Sequence, residues 1–224
     1  RRTDVHYPKP KVISVTQATE MGTCYTVDEL EALGCRAKHL GLTLHMDGAR
    51  FANAVAQLGV APKALTWQAG VDILCLGGTK NGSAVGDAVV FFNRRLAHEF
   101  DYRCKQAGQL ASKMRYLSAP WVGMLQNGVW LKHAAHANAM AALMHELLSP
   151  VEGIEILFPR QANSVFVEMP KSLIRYLHDL GWKFYAFIGE KGCRLMCSWD
   201  TTPEDVRSFV KDLKEGLQST SGQS

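Results

Sequence analysis

Two residues of complementary chemistry follow neighbouring predicted strands. Asp47 comes after the apolar segment 42–46, and Lys80 lies in the glycine-rich segment 77–82 after the next apolar run. Residues just beyond the carboxyl ends of parallel strands converge on one crevice. A lysine amine and a carboxylate there suit pyridoxal phosphate chemistry, because the amine bonds to the cofactor aldehyde and the carboxylate keeps the ring nitrogen protonated. Taken alone, Asp47 would fit a helix cap better than a catalytic role.

An alternation of strands and helices positions this pair. The capping-box pair Thr26 and Glu29 predicts the start of a helix over residues 27–40, which Gly41 ends. A second helix is predicted to follow Arg50 and run to Leu58. Buried strands joined by helices predict a largely parallel α/β sheet covered on both faces. The predicted strands are 12–15, 42–46, 71–76 and 87–92.

The pattern changes in the second half of the chain. Residues 94–148 are predicted to be helical, with a break at Pro120. Beyond them, strands at 154–158, 164–169 and 194–199 and helices at 172–180 and after Pro203 predict a smaller α+β domain with an antiparallel sheet. We therefore divide the chain into a first domain over 1–120, connecting helices and a small domain over 121–216, and a frayed polar tail over 217–224.

Composition excludes several classes of protein. The formal net charge is +4, with 47% hydrophobic and 21% charged residues, so the chain is a globular protein rather than a disordered one. No apolar run approaches the roughly 20 residues of a membrane helix, and we do not expect the opening residues to act as a secretory signal, because no apolar segment follows their two arginines. The basic residues are dispersed, which argues against nucleic acid. Cysteines lack the spacing of a disulfide framework, so we expect reduced thiols in the cytoplasm, with Cys193 and Cys197 packed in the core.

Three short segments resemble known motifs but lack residues or an order that those motifs require. The segment 77–83 lacks the order of a nucleotide-binding P-loop, because Lys80 precedes the second glycine of that pattern. His145 and Glu146 begin like a zinc protease helix, but position 149 is serine. His133 and His136 lack an acidic or thiol partner nearby in sequence, and a solvated helix face explains them better than a metal site. We expect no metal.

Longer motifs carry a resemblance to a known family. The sequence resembles the low-specificity L-threonine aldolase and phenylserine aldolase family, a fold-type I pyridoxal phosphate group. The similarity extends over nearly the whole chain. Its motifs are Val15-Thr16-Gln17-Ala18-Thr19-Glu20-Met21-Gly22-Thr23, His45-Met46-Asp47-Gly48-Ala49-Arg50-Phe51-Ala52-Asn53-Ala54, Gly77-Gly78-Thr79-Lys80-Asn81-Gly82, Lys113-Met114-Arg115 and Arg194-Leu195-Met196-Cys197-Ser198-Trp199-Asp200.

The resemblance implies roles for the cofactor-binding residues. Lys80 would be the lysine that carries the cofactor, and Asp47 the partner of its pyridine nitrogen. Arg50 would lie near the phenolic oxygen, and Thr79 could reach the phosphate or only satisfy its own turn. Arg194 would bind the α-carboxylate of the substrate, a task that suits a guanidinium fork.

Three further residues are assigned less directly. His6 falls where the family tends to have a substrate-side histidine, and we carry it as a catalytic candidate. Arg115 matches a position near the active site, which could act across a subunit interface. His45 shares a strand face with Asp47 and is at least as well explained as a hydrogen-bonded core residue as by catalysis.

The implied activity is retro-aldol cleavage of L-threonine and other β-hydroxy-α-amino acids to glycine and an aldehyde. Another fold-type I enzyme, such as a β-eliminating lyase or an aminotransferase, and an inactive fragment or assembly subunit stay open as alternatives. Family members are longer, so we expect that Arg1 is not the native start and that an N-terminal segment or chain completes the large domain, which is truncated at its N-terminus. The resemblance also implies a homodimer or homotetramer.

Overall fold

Two four-stranded sheets organise the part of the chain that the computed structural model describes, residues 4–220. The first sheet has the strand order β1-β2-β3-β4, and its strands are β1 (Val12–Thr16), β2 (Thr43–Gly48), β3 (Ile73–Gly77) and β4 (Asp87–Phe91). The second has the order β5-β6-β8-β7, and its strands are β5 (Glu155–Ile156), β6 (Ser164–Glu168), β7 (Tyr185–Ile188) and β8 (Gly192–Met196).

Helices cover and connect the sheets. The α-helices are α1 (Val27–Leu40), α2 (Phe51–Leu58), α3 (Phe100–Gln106), α4 (Arg115–Leu125), α5 (Val129–Leu148), α6 (Lys171–Asp179) and α7 (Pro203–Thr220). Short 3-10 turns lie at Pro62–Leu65, Trp67–Ala69, Thr79–Asn81, Arg94–Ala97 and Gln126–Gly128.

The first sheet is largely parallel, as the sequence predicts. β1 and β3 both run parallel to β2, whereas β4 is antiparallel to β3. The reversal follows from the connection over residues 78–86, since a parallel return needs a crossover of about a dozen residues or more. The carboxyl ends of β1, β2 and β3 therefore meet at one edge, with Asp47 paired to Thr16 on one side and to Cys75 on the other.

Helix α1 confirms the predicted capping box. The Thr26 hydroxyl accepts a hydrogen bond from the Glu29 amide, and the Glu29 carboxylate accepts one from the Thr26 amide at 2.8 Å. Gly41 ends the helix in the left-handed region, with φ at 66°. The helix buries Leu30 and Ala37 against the first sheet's core.

The second half departs from the sequence prediction in three places. Helix α4 continues through Pro120, and the break comes instead at Asn127 and Gly128, whose φ angles of 54° and 67° are left-handed. Strand β7 was not predicted because its mostly exposed residues show no apolar alternation. The tail expected to be frayed from residue 217 is helical through Thr220, and the remainder of the predicted tail, 221–224, lies outside the described residues.

Helix α5 links the two halves. Its early residues Trp130 and Leu131 pack against the core of the first sheet, and its later residues join the core of the second sheet. Buried Asn138 of α5 donates to the Asn53 carbonyl oxygen of α2 at 2.9 Å, and the Asn53 amide donates to the Asn138 side-chain oxygen at 3.0 Å. This reciprocal pair fixes α2, the helix that follows the Asp47 turn, against α5.

Candidate active site

Asp47 lies at the carboxyl end of β2. Along this strand the buried Leu44 and Met46 alternate with the half-buried His45 and Asp47, so the last two share the opposite face. Asp47 Oδ1 accepts a hydrogen bond from the Ala49 amide at 2.9 Å. Within residues 4–220 the other carboxylate oxygen makes no hydrogen bond, so it is free to hold a ligand proton.

Lys80 occupies the turn after the adjacent parallel strand, β3, and its side chain is exposed. Gly77 brings this turn close to the Asp47 turn, because a Cβ at Gly77 would come within 2.7 Å of the Ala49 main chain. Gly82 then reverses the chain with φ at 100°. The segments that carry Asp47 and Lys80 therefore lie at the same edge of the sheet, as the strand pattern predicts.

Side chains from distant elements hold the Lys80 turn. Buried Asn81 donates to the Trp130 carbonyl oxygen at 2.9 Å, and His133 Nδ1 donates to the Asn81 carbonyl oxygen at 3.0 Å. The His133 ring also contacts Trp199 from beyond β8, with ring centroids 5.3 Å apart. The lysine therefore projects from a turn that is fixed on both sides.

Arg50 lies three residues after Asp47, as the N-cap residue of α2, and is half-buried with its Nε shielded from solvent. Burial lowers the pKa of its guanidinium, the positive charge of Arg194 lowers it further, and the carboxylates of Glu20 and Asp47 oppose both effects. The charges of all three side chains therefore act on the Arg50 guanidinium. Its Nε is buried and has no hydrogen-bond partner among the described residues.

Arg194 reaches the same region from the second sheet. It lies on β8, between β6 and β7, and its guanidinium stacks 4.2 Å from the centre of the Phe187 ring. Its Nη1 donates to Glu20 Oε2 at 3.1 Å, whereas its buried Nε has no partner in the described part of the chain. The residue predicted to bind a carboxylate thus already faces one, at the junction of the two sheets.

The other predicted site residues are less closely tied to this region. His6 is exposed and hydrogen-bonds Asp4, two residues away. Thr79 is exposed beside Lys80, and exposed Arg115 stacks over the Tyr116 ring at 5.0 Å. Their functional roles stay predictions, because no contact among the described residues connects His6 or Arg115 with Asp47 or Arg194.

His45 has partners on both sides within the sheet. Its Nδ1 is hydrogen-bonded to Ser14 at 2.8 Å and its Nε2 to the Cys75 thiol at 3.3 Å. Burial and the negative charges of Asp47 and Asp87 raise the pKa of Cys75, so this thiol stays protonated at neutral pH. Of the two interpretations of His45, the hydrogen-bonded structural one is favoured.

The expectation of a solvated helix face is wrong for His133, whereas His136 is exposed. His133 is half-buried against the Lys80 turn, and His136 Nε2 donates to the Thr201 carbonyl oxygen at 2.7 Å. The reason is that the segment after β8 packs back on α5. No group of three or more histidine, cysteine or acidic residues that could hold a metal occurs among residues 4–220.

The predicted packing of Cys193 and Cys197 is confirmed. Both are buried in the core of the second sheet, and burial raises the pKa of Cys193 to about 11 and that of Cys197 to about 12. All six cysteines are free thiols. Among the described helices, none combines the length and apolarity needed to cross a membrane.

Comparison with known proteins identifies the family. Residues 1–172 match the family described as beta-eliminating lyase. The chain belongs to the beta-eliminating lyase family. Members of this family depend on pyridoxal phosphate.

Individual relatives of the chain carry a narrower description. It is 58% identical to a low specificity L-threonine aldolase from Pseudomonas sp. (strain NCIMB 10558) and 59% identical to one from Pseudomonas aeruginosa, in each case over 96% of this chain. The chain spans 62% of the length of each of these relatives.

Solved structures agree on the fold. A threonine aldolase from Leishmania major superposes with a TM-score of 0.85 at 29% identity, covering 95% of this chain and 63% of that one. The cysteine desulfurase CsdA from Escherichia coli has a TM-score of 0.70 at 15% identity and covers 93% of this chain and 59% of its own. The predicted fold-type I architecture is therefore confirmed.

The residues of the chain fit the cofactor of the family. Asp47 offers an unengaged carboxylate oxygen, Lys80 offers an exposed amine at the neighbouring strand end, and the partnerless Nε of Arg50 supplies a donor for an anionic oxygen. Sequence reasoning missed the contributions of Glu20, Phe187 and His133. The pairing of Glu20 with Arg194 could not be predicted from the sequence, because 174 residues separate the two.

Proposed function

We propose that the protein is a pyridoxal phosphate-dependent aldolase that cleaves L-threonine and other β-hydroxy-α-amino acids to glycine and an aldehyde. The observation that carries the reaction type is the 58% and 59% identity to two relatives described as low specificity L-threonine aldolases. Arg50 is affected by the charges of both Asp47 and Arg194. This supports the same reaction, because a carboxylate for a ring nitrogen is then combined with cations for an amino-acid carboxylate.

The cofactor, when bound, supplies an electron sink for the pair of electrons left at Cα when the Cα–Cβ bond breaks. Lys80 would attach it through its amine, and Asp47 would keep its ring nitrogen protonated. Arg50 would stabilise the ionised phenolic oxygen, and Thr79 would donate to the phosphate. Each role uses a side chain that is available at the edge where β2 and β3 end.

Arg194 would fix the substrate by its α-carboxylate. A guanidinium held by the Phe187 ring and by a central strand offers a fixed fork, so the carboxylate can be bound in one orientation. Fixing the carboxylate selects which bond at Cα is aligned for cleavage. His6 is proposed as the group that takes the β-hydroxyl proton, directly or through a water molecule.

A second candidate reaction is β-elimination, which the family match favours because the family is described as beta-eliminating lyase. Product analysis separates the two reactions. An aldolase releases glycine and an aldehyde from a β-hydroxy amino acid, whereas an eliminating lyase releases ammonia and a keto acid.

The first experiment tests cofactor attachment. The full-length protein is purified, reduced with borohydride, digested and analysed by peptide mass spectrometry. We expect a phosphopyridoxyl group on the peptide that contains Lys80 and none on Lys132, an exposed lysine of α5 that serves as the control. A label on another lysine, or no label with intact cofactor absorbance, would contradict the assignment of Lys80.

Two further features are part of the proposal. The protein is proposed to act in the cytoplasm, which is supported by its six free thiols. It is proposed to form a homodimer or homotetramer. Support comes from exposed apolar side chains between residues 96 and 125, which are Leu96, Tyr102, Leu110, Met114, Tyr116, Val122 and Leu125.

A further inference from the structure

Glu20 and Arg194 form an ion pair between the two halves of the chain. Glu20 lies in the loop after β1, and Arg194 lies on β8 of the second sheet, with 3.1 Å between Glu20 Oε2 and Arg194 Nη1. The Arg194 side chain is only 17% exposed, whereas that of Glu20 is 60% exposed. The pair therefore joins a fixed cation to a carboxylate that borders solvent.

The ion pair with Glu20 leaves N–H donors of the Arg194 guanidinium without a partner. Glu20 engages Nη1 with one oxygen, and Nε of Arg194 has no partner among the described residues. A guanidinium carries five N–H donors and binds carboxylates best through two parallel bonds. A free carboxylate that binds in that way would make more hydrogen bonds to Arg194 than Glu20 does.

A second cation lies nearby. Arg50 is within electrostatic range of Arg194, and the two positive charges disfavour each other, whereas the Glu20 carboxylate stabilises both. Two neighbouring guanidinium groups require an anion. Before an amino acid binds, Glu20 supplies that negative charge.

We propose that Glu20 is an internal competitor for the carboxylate site, which pairs with Arg194 until the α-carboxylate of the amino acid displaces it. This inference rests on the proposed function, because it assigns Arg194 to the α-carboxylate. Glu20 is then a residue that sets substrate affinity, since its negative charge must leave Arg194 before the ligand is fully bound.

The environment of the pair makes the exchange feasible. A largely exposed carboxylate regains its hydration when it leaves, so its release costs little. Arg194 stays in place because its guanidinium stacks on Phe187 and its main chain belongs to a central strand. The ligand therefore meets a preformed cation rather than one that must first be ordered.

The test is calorimetric binding of glycine to the full-length, cofactor-loaded protein and to its Glu20→Gln variant. Glutamine keeps the size and an accepting oxygen but removes the charge. Because exposed ion pairs are weak, we expect the Kd for glycine to fall about two- to five-fold, with a smaller difference at high salt. In steady-state kinetics, KM for L-threonine should fall by a similar factor with kcat unchanged.

Glu31→Gln is the matched control, since Glu31 is an exposed residue of α1 and undergoes the same chemical change. Its glycine affinity should equal that of the unmodified protein. Equal thermal midpoints for both variants would show that folding is unaffected. An unchanged or weaker glycine affinity in Glu20→Gln would overturn the inference.

Arg194→Gln separates this inference from the proposed function. If Arg194→Gln binds glycine as tightly as the unmodified protein, the assignment of Arg194 to the carboxylate is wrong, and the inference about Glu20 is wrong with it. If Arg194→Gln loses glycine binding while Glu20→Gln leaves the affinity unchanged, only the inference about Glu20 is overturned.

Discussion

Gly77 and Ala49 pack against each other through their main chains. A Cβ on Gly77 would lie 2.7 Å from both the Cα and the carbonyl oxygen of Ala49, closer than real Cβ contacts come. The two residues belong to the segments that carry Lys80 and Asp47. The distance between the proposed cofactor lysine and the proposed ring-nitrogen partner thus depends on the absence of one methyl group.

The substitution Gly77→Ala should therefore lower both stability and cofactor retention. The added methyl meets main chain, which cannot rotate away, so we expect a loss of about 1–3 kcal/mol in the free energy of unfolding. Urea denaturation measures the stability, and absorbance after dialysis measures the retained cofactor. Gly123→Ala in α4 is the control, because a Cβ there meets no atom within 4 Å. Equal effects of the two substitutions would contradict the importance of this contact.

Removal of the proposed carboxylate-binding group should affect substrate binding most. We expect Arg194→Ala to lower kcat/KM by roughly 10- to 100-fold, because hydrogen bonds to charged groups contribute about 1.5–3 kcal/mol. Most of this change should be an increase in KM, with some loss of kcat from poorer orientation. Arg175→Ala, at an exposed position of α6, should leave both constants unchanged. Unaltered kinetics in Arg194→Ala would refute the role of this residue.

Asn53 of α2 and Asn138 of α5 form a buried pair, and each should stabilise the fold more when the other is present. Asn138→Ala would remove the 3.0 Å partner of the buried Asn53 amide and leave it only the Ala134 carbonyl oxygen at 3.4 Å, at a cost of about 1–3 kcal/mol. Adding Asn53→Ala should cost less than Asn53→Ala alone, because the bond between the two side chains is then already lost. The free energy of unfolding is measured for the two single variants and the double variant. Strictly additive losses would show that the two side chains do not depend on each other.

Thr26 and Glu29 form the capping box of α1, and their contributions to stability should depend differently on pH. Hydrogen bonds from Thr26 lower the pKa of Glu29 below its ordinary value of 4.5. The stabilisation by Glu29 is therefore present above that value and is lost as the pH falls through the lowered pKa of the folded state. Glu29→Ala should reduce the thermal midpoint at pH 7 but change it little well below the lowered pKa. Thr26→Ala should cost about 1 kcal/mol at low pH, because the hydroxyl accepts from an amide that does not titrate. It should cost more at pH 7, where the same hydroxyl also donates to the ionised Glu29 carboxylate. A pH-independent effect of Glu29→Ala would contradict this assignment.

Local signals account for the parts of the fold that the sequence predicts well. The bounds of α1 follow from Thr26 and Gly41, whose roles depend on residues within one helical turn. Asp47 and Lys80 follow from strand patterns, because the carboxyl ends of parallel strands share an edge. Pro120 misled the prediction because a helix can continue past one missing N–H, and left-handed Asn127 and Gly128 end the segment instead.

Contacts between distant segments could not be predicted in the same way. Arg194 was assigned through its resemblance to a family motif, and no periodicity links it to Glu20 or shows that it stacks on Phe187. The environment of His133 depends on Trp199 and on the Lys80 turn, which approach α5 only in the folded chain. The proposed site combines residues of two sheets, and the sequence pattern describes each sheet separately.

Helix α5 completes the core of both sheets, so neither half retains a closed interior once this helix detaches. Melting cannot then be confined to one half, and the described chain should lose its structure in one cooperative transition. The segment with Lys80 and the strand with Arg194 belong to different sheets, but they should unfold in the same transition.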